Sequence, residues 1–485
     1  MPLQHIEVAR DLADGATLRA DVAVIGSGAG GAAVAGEVAR RGLTAVVVEA
    51  GGRPHPGGLG THVRNAYPEE EQLQSEFGPA VLAGLTPYEG AEQPLAGLRG
   101  QRFAHAVGGM MSFWSHVCAV PDHATEAEPG VPEDEMRALW RQAAALLWSN
   151  TSVGAHGVRQ RRLTEALAAA FPGLPPGREV QPLPVGMRIG AAGSPEYSGI
   201  DALLTSGDAA APGRVTLVPG YAVPRVEMAG SRARAVLAVA VAGGGRRTLR
   251  IEAGTVVTAA GALGSPMILH SSGVRPPALG RYLTDHSMVS SRVRLSPEVL
   301  AGMGARDESF GVWVPSSSAR PLHTQLVPGW TRVPGFDESV PVRETSDIGQ
   351  FVAVAPHPGN RLLFDDEHRD AWGLPATTAR FELSEADREA IRAAAADHVR
   401  VADAVRDTSY GLSVSIAPPG GSLHLMGSTR LGTEETGVAD AYGKVWGTDN
   451  LYVAGNGVVS TATTSNPTLN VVALALRTAR AVAGS

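Results

Sequence analysis

Two kinds of hydrophobic spacing alternate at the start of the chain. Val22-Ala-Val-Ile25 is a short unbroken apolar run, the pattern of a strand buried on both faces. Small residues follow from Ala29 to about Arg41 with helical spacing, Gly42 stops them, and a second apolar run, Ala45 to Val48, ends in Glu49. The order is therefore strand, tight turn, helix, strand. From 53 to 105 the periodicity is weak, around Arg53-Pro-His-Pro and an acidic run from Glu69 to Glu71, and the stretch reads as a long insertion or lid centred on 61–99. β-like runs return at Arg214 to Val226 and at Thr248 to Ala260, and a β-rich stretch with scattered Pro fills roughly 286–385. A helix rich in Ala, Glu and Arg spans about Glu385 to Val405. Near the end, Leu451-Tyr-Val runs into Gly455-Asn-Gly457, and an amphipathic helix follows from Thr468 to Val482.

The turn after the first strand, Gly26-Ser-Gly28-Ala29-Gly-Gly31, carries a specific chemistry. Gly26 permits the turn, Gly28 lets backbone N–H groups approach a pyrophosphate at the helix N-terminus, and Gly31 lets helix and strand pack closely. Glu49, which closes the second strand, is placed to accept hydrogen bonds from a ribose diol, and an acid there disfavours a 2′-phosphate. With Leu451–Gly457 as a second such signal, the dinucleotide domain is expected to be discontinuous, built from 15–60, 100–125, 205–285 and 420–485. The segments 126–204 and 286–419 would form a second, substrate-binding domain. The expected fold class is α/β (α+β), a Rossmann-like domain with an inserted sheet and its helices.

Composition narrows the function. The 485 residues are 44% hydrophobic and 18% charged, so the chain is globular rather than disordered, and the formal net charge of −7 without a basic block argues against nucleic acid. A single cysteine, Cys118, excludes an intramolecular disulfide, a Cys-x-x-Cys redox pair and a cysteine zinc site, and reads as a small buried hydrophobe. No grouping of His and acidic residues has metal-ligand spacing, so no metal is expected. The segment from Met1 to Ala20 lacks a basic start and an apolar stretch, and no apolar run is long enough to span a bilayer. The expectation is a cytoplasmic protein with no membrane contact. No G-x-S-x-G elbow supports a serine hydrolase.

Several motifs then fall in one order: GSGAGG, Gly108-Gly-Met-Met-Ser-Phe-Trp114, AAGALGSP, Leu283-Thr-Asp-His286, Ser422-Leu-His424-Leu-Met-Gly-Ser-Thr-Arg430, Val453-Ala-Gly-Asn-Gly457 and Asn466-Pro-Thr-Leu. Together they resemble the glucose-methanol-choline (GMC) family of FAD oxidoreductases, within it the pyranose oxidase branch with its bacterial C-glycoside 3-oxidases, over nearly the whole chain. The resemblance implies FAD as cofactor, with His424 as catalytic base and Asn466 as its partner. It implies FAD contacts from Gly26, Gly28, Ala29, Gly31, Glu49, Ala50 and Arg53 around the first turn. The next contacts would be Gly108, Gly109, Met110, Ser112, Trp114 and Ser115, then Val223, Ala260 and Gly261. Asn456 and Gly457 would meet the phosphate and ribityl chain, and Pro467 and Thr468 would begin a helix whose N-terminus favours negative charge on the flavin's N1/O2 edge. Where many pyranose oxidases hold a histidine joined covalently to the flavin, this chain has Phe113, so FAD is expected to be non-covalent; His116 would be the attachment site in a shifted register. His323-Thr-Gln325 resembles a sugar-binding segment, and Gln350 lies where a mobile substrate loop is expected, which makes Gln325 and Gln350 the candidate substrate contacts.

Removing hydrogen from an alcohol needs a base beside the hydride acceptor, and a neutral imidazole suits that task. The expected reaction is oxidation of a secondary ring hydroxyl of a sugar or glycoside, C3 rather than C2, with O2 (giving H2O2) or a quinone taking the electrons. The alternatives are a GMC dehydrogenase of another alcohol or polyol, a hydroxynitrile-lyase-like enzyme that keeps FAD without redox use, and a non-catalytic FAD module. The chain is expected to be a monomer or homodimer. His286 is read as structural or flavin-covering.

Overall fold

The structure is a computed structural model that describes residues 6–52, 58–67, 76, 78–86, 95, 97–191, 193–205, 213–242, 247–304, 309–329, 336–337 and 339–484. Arg53, the acidic run at Glu69–Glu71 and much of the expected lid lie outside the described residues.

Eight strands form the first sheet. Glu7–Val8, Val215–Pro219, Ala45–Glu49, Ala16–Ile25, Thr248–Thr258, Arg232–Ala240 and Tyr221–Ala229 follow one another across it, and Leu451–Val453 pairs with the C-terminal half of Thr248–Thr258. The strands around the nucleotide-type turn are parallel, while the last three of the row form an antiparallel meander. Parallel strands are covered on both faces, which is why Val22–Ile25, Val46–Val48 and Val256–Val257 read as unbroken apolar runs and are buried. Helices Ala29–Arg40 and Thr468–Gly484 pack against each other beside this sheet, and Glu133–Leu146 packs on the latter through Trp140 Nε1, which donates to Asn470 Oδ1 at 3.0 Å. Cys118 is 1% exposed, and burial pushes its thiol up to about 12.

Two local expectations change. The run Arg214 to Val226 is two strands, because the chain breaks after Pro219 at Gly220, which adopts φ +82° as a residue without Cβ readily can. The strand Arg232–Ala240, with its alternating RARAVLAVA pattern, lies between the other two of the meander and adds an element to those expected.

The second sheet is antiparallel and six-stranded, in the order Ser415–Ile416, His286–Arg294, Thr345–Ala353, His323–Pro328, Val312–Val314, Gln181–Pro182. Its strands alternate. Val289, Val293, Ile348, Val352, Leu326, Val312 and Val314 face the helices Glu385–Asp403 and Val158–Ala170, closing an apolar layer. Ser384 caps Glu385–Asp403 in a capping box with Asp387. The other face presents His286, Met288, Phe351, His323, Gln325 and Trp313, as the direct pairings Met288↔Phe351, His323↔Phe351 and Trp313↔Gln325 require. The stretch 345–353, expected as a mobile loop, is a nine-residue strand inside this sheet. Thr and Ser punctuate it, but strand partners on both edges hold it in the sheet.

Candidate active site

The nucleotide-type turn is held by backbone proximity. Gly26 has φ +98°, and a Cβ on Gly31 would strike the Gly26 carbonyl, so both positions need glycine. Gly28 caps Ala29–Arg40 without a side-chain partner, leaving first-turn N–H groups free for an anion. A Cβ on Gly30 would lie 2.6 Å from Gly455 N, so the two glycine motifs, one near each end of the chain, touch here. Glu49 ends its strand with Oε2 accepting from Ser27 N at 2.9 Å and Ser27 Oγ at 2.7 Å, and Oε1 accepting from Gly51 N at 2.8 Å. Burial raises its carboxyl pKa, against those three hydrogen bonds. Ser27 is an addition to the expected residues: its Oγ also accepts from Gly108 N at 2.9 Å, tying the GGMMSFW segment to the turn.

Some of the remaining FAD candidates lie against this turn. Gly108 and Gly109 both have positive φ, a Cβ on Gly109 would be 3.4 Å from Gly28 Cα, and Met110 follows in the same 3₁₀ turn, which Ser112 closes by donating to Val107 O at 2.8 Å. Trp114 donates from Nε1 to Ser198 O at 2.9 Å, and Ser115 beside it is exposed. Ala260 begins the helix Gly261–Ser271 and lies against Gly26, while Ala50 follows Glu49. Val223 is buried in the meander. Asn456 and Gly457 form a 3₁₀ turn after Gly455, whose φ is +93°; Gly457 O accepts from Thr429 N at 2.9 Å, which joins it to the His424 segment. Pro467 precedes Thr468–Gly484, whose first turn holds no acidic side chain. A helix start without a capping side chain, an acid at the end of the second strand and close-packed glycines form a cradle that fits FAD.

His424 sits on a loop that the structure clamps. Asp285 accepts from Gly420 N at 2.9 Å and from Ser422 Oγ, and Ser422 Oγ accepts from His424 N at 3.2 Å. Leu423 is held left-handed at φ +63°, a conformation that costs about 1–2 kcal/mol, which the clamp offsets. Burial lifts the Asp285 carboxyl to about 6.

His286, on the facing strand, places Nδ1 2.8 Å from His424 Nδ1, and its Nε2 is 3.1 Å from Thr463 Oγ1. The two imidazoles cross at 78° with centroids 4.9 Å apart, and Phe351 packs against both. Burial lowers both: His424 to about 4, and His286 well below its usual value with the neighbouring His424 adding to the effect. His424 Nε2 has no hydrogen-bond partner among the described residues. Both rings are neutral near pH 7, and the free nitrogen of His424 is available to take a proton.

Asn466 follows Thr463 by one helical turn's worth of chain and is 4% exposed, with Oδ1 unpartnered among the described residues. The loop before it is braced by two buried acids that sequence reasoning missed. Glu126 accepts from Thr464 Oγ1 at 2.6 Å and Ser316 Oγ at 2.9 Å, and Glu128 accepts from Ser460 N at 3.0 Å and Ser460 Oγ at 2.6 Å. Burial pushes Glu128 up to about 7. No spacing in the sequence announces these contacts, because each acid reaches across most of the chain to the segment it braces.

The two glutamine candidates part company. His323 Nδ1 accepts from Trp313 Nε1 at 2.9 Å, so its Nε2 carries the proton and donates to Gln325 Oε1 at 3.3 Å. That leaves the Gln325 amide N–H groups without a protein partner among the described residues, on the sheet face that carries His286 and Phe351. Gln350 points the other way. It is fully buried against the helix layer, donating to Asp397 Oδ2 at 2.6 Å and Thr324 Oγ1 at 3.2 Å, so it does not reach the His424 face. Strand alternation is the reason: 350 has the opposite parity to 351.

A parallel sheet with a glycine-lined helix start, and an antiparallel sheet whose neutral His286 meets the loop histidine His424, define a flavoprotein architecture. Family models described as GMC oxidoreductase match residues 207–288 and 356–475. A C-glycoside 3-oxidase of Arthrobacter globiformis is 34% identical over 388 residues, covering 78% of this chain and 73% of that protein. A C-glycoside 3-oxidase of Microbacterium trichothecenolyticum is 30% identical over 511 residues, covering 96% of each chain. The fold matches that of pyridoxine 4-oxidase from Mesorbium loti with a TM-score of 0.66 at 16% identity, over 95% of this chain and 98% of that one. The chain belongs to the GMC oxidoreductase family and is an FAD-dependent oxidoreductase acting on CH–OH groups. Among the described residues, no helix is long and apolar enough to cross a membrane.

Proposed function

We propose that this protein oxidises a secondary ring hydroxyl of a sugar or glycoside to the ketone, at C3 in preference to C2. The observation that carries the reading is the neutral His424 with a free Nε2; the unpaired acceptor of Asn466 and the unpaired donor of Gln325 support it. When bound, FAD supplies the acceptor for the carbinol hydride and returns two electrons to O2, giving H2O2, or to a quinone. His424 Nε2 takes the hydroxyl proton as the hydride leaves the same carbon, so that C–OH becomes C=O. Asn466 Oδ1 fixes a hydroxyl of the substrate, and the Gln325 amide donates to a second hydroxyl, which orients the ring. Phe351, buried against His286 and His424, forms one wall of the proposed site. The C3 preference follows the relatives named C-glycoside 3-oxidase.

FAD is held without a covalent bond in this reading, since Phe113 stands where a linking histidine is expected, and its side chain is packed with Val63 and Ala106. His116 is buried among His62, Trp114 and Tyr197, with ring centroids 4.0, 5.6 and 4.5 Å away. Acid precipitation should release the yellow chromophore.

The test is the anaerobic visible spectrum, titrated in parallel with free glucose and with an aryl or C-linked glucoside, followed by product analysis. Bleaching by the glucoside and a 3-keto product are expected. No bleaching by either sugar would turn the assignment to another alcohol or to a lyase, and a 2-keto product alone would overturn the C3 preference.

A further inference from the structure

The contact between His286 and His424 can hold only one hydrogen. Two nitrogens 2.8 Å apart hydrogen-bond when one donates and the other accepts, and two neutral rings have one N–H each to place. Which ring donates is decided at the far end of the chain of contacts. His286 Nε2 faces Thr463 Oγ1 at 3.1 Å. The Thr463 hydroxyl points in turn to Met426 Sδ at 3.8 Å, an acceptor, so its oxygen keeps a lone pair for His286. Met426 is buried and fixed by a two-way backbone pairing with Thr284, at 3.1 and 2.8 Å, beside Asp285 and His286.

We propose that His286 and Thr463 are positioning residues that set the tautomer of His424, so that its hydrogen lies on Nδ1 and its lone pair on Nε2 before substrate arrives. The series runs from His424 Nδ1–H to His286 Nδ1, from His286 Nε2–H to Thr463, and from the Thr463 hydroxyl to Met426 Sδ. Reversing it would turn the Thr463 hydroxyl hydrogen away from Met426 Sδ and onto His286 Nε2. Burial of both rings supports the neutral state that this inventory requires. The tautomer left on a histidine is governed by the bond its other nitrogen makes, and here the partner is a second histidine rather than a carboxylate. A neutral partner orients the base without adding a negative charge beside a flavin site. When Nε2 receives the alcohol proton, His424 becomes cationic and its Nδ1–H bond to His286 becomes charge-assisted and stronger. The pair therefore stabilises the charge as it develops.

This inference rests on His424 being the base, and the experiment separates the two. FAD-loaded protein labelled with [15N]histidine is examined by long-range proton–nitrogen correlation, with the His424 signals identified by their loss in His424→Gln. The expected pattern is a protonated Nδ1 and a bare Nε2; hydrogen on Nε2 overturns the proposal whatever the activity. In parallel, anaerobic flavin reduction by an aryl glucoside is timed in two variants. His286→Leu removes the acceptor and should slow reduction about 10- to 100-fold with little change in KM. His286→Asn can place its amide oxygen where Nδ1 stood and should recover most of the rate. Equal losses in both variants would mark a packing role only and overturn the proposal. Thr463→Val is the milder variant if His286→Leu does not fold, with a loss of several-fold expected and an unchanged rate counting against the series. A normal reduction rate in His424→Ala would instead remove the base assignment while leaving the nitrogen pattern as measured.

Discussion

The glycine turn and the histidine corner meet in one site and are built in opposite ways. At the turn, Gly26, Gly28, Gly31 and Glu49 lie within a single strand–helix–strand unit, and the groups that would meet the cofactor are main-chain N–H donors and one carboxylate. At the corner, His286 lies 138 residues from His424 and 177 from Thr463, and every working group is a side chain. A backbone site tolerates no added atom. A side-chain site depends on which ring nitrogen or amide edge its neighbours leave free.

The comparison is most sharply tested by His424→Ala. Flavin reduction should fall by about 10²- to 10⁴-fold with FAD still bound, read by stopped-flow absorbance of the flavin under nitrogen. In the intact protein the pH profile should follow the same ring. Burial lowers His424 to about 4, so the neutral base persists from neutral pH down to about 5 and reduction slows only below that. A fall centred near the ordinary histidine value of about 6.5 would show that the ring titrates as in water.

Gly30→Ala probes the other region. The new Cβ meets Gly455 N and Cα at 2.6 and 2.7 Å, backbone against backbone, where neither motif can yield. About 1–3 kcal/mol of stability should be lost, with lower flavin content per protein, while the rate per bound FAD stays near normal. A rate loss at full flavin content would break the separation drawn between the two regions.

A smaller effect is expected at Glu49. Glu49→Ala leaves Ser27 N and Gly51 N without their acceptor, at about 1–3 kcal/mol, so FAD should bind at least about 10-fold more weakly in an apoprotein titration. Turnover at saturating FAD should not change.

The smallest effects distinguish the two glutamines. Gln325→Ala removes an amide whose N–H groups have no protein partner among the described residues and should raise KM several-fold, with a fall of a few degrees in melting temperature because buried His323 loses its acceptor. Gln350→Leu should leave KM alone and lower the melting temperature by a few degrees, because it unpairs half-buried Asp397 from one of its donors. Reversed results would mean that the register of Thr345–Ala353 differs from the one described.

Much of the turn is legible in the sequence alone, since its glycines, its helix and its terminal acid are defined by spacing within one βαβ unit. His424 is legible from the motif around it. His286 reads as structural, because nothing in LTDH tells that Thr345–Ala353 carries Phe351 up beside it or that Thr463 closes on its far nitrogen. Gln350 is misplaced for the same kind of reason: the parity of a strand cannot be read where both faces are buried and polar residues occur on each. The break at Pro219-Gly220 is visible as a dipeptide, but the apolar residues on both sides mask it.

By itself, the amino-acid sequence determined the fold class, the nucleotide turn and the histidine proposed as base, because those depend on short-range spacing and on residues that allow or forbid a backbone conformation. Only the tertiary structure decided which nitrogen of His424 is free, which glutamine lies on the sheet face of His286 and which buried acids brace the loop of Asn466. These follow from register and packing between segments far apart in the chain, where a shift of one position turns a side chain to the opposite face and no local pattern records the choice.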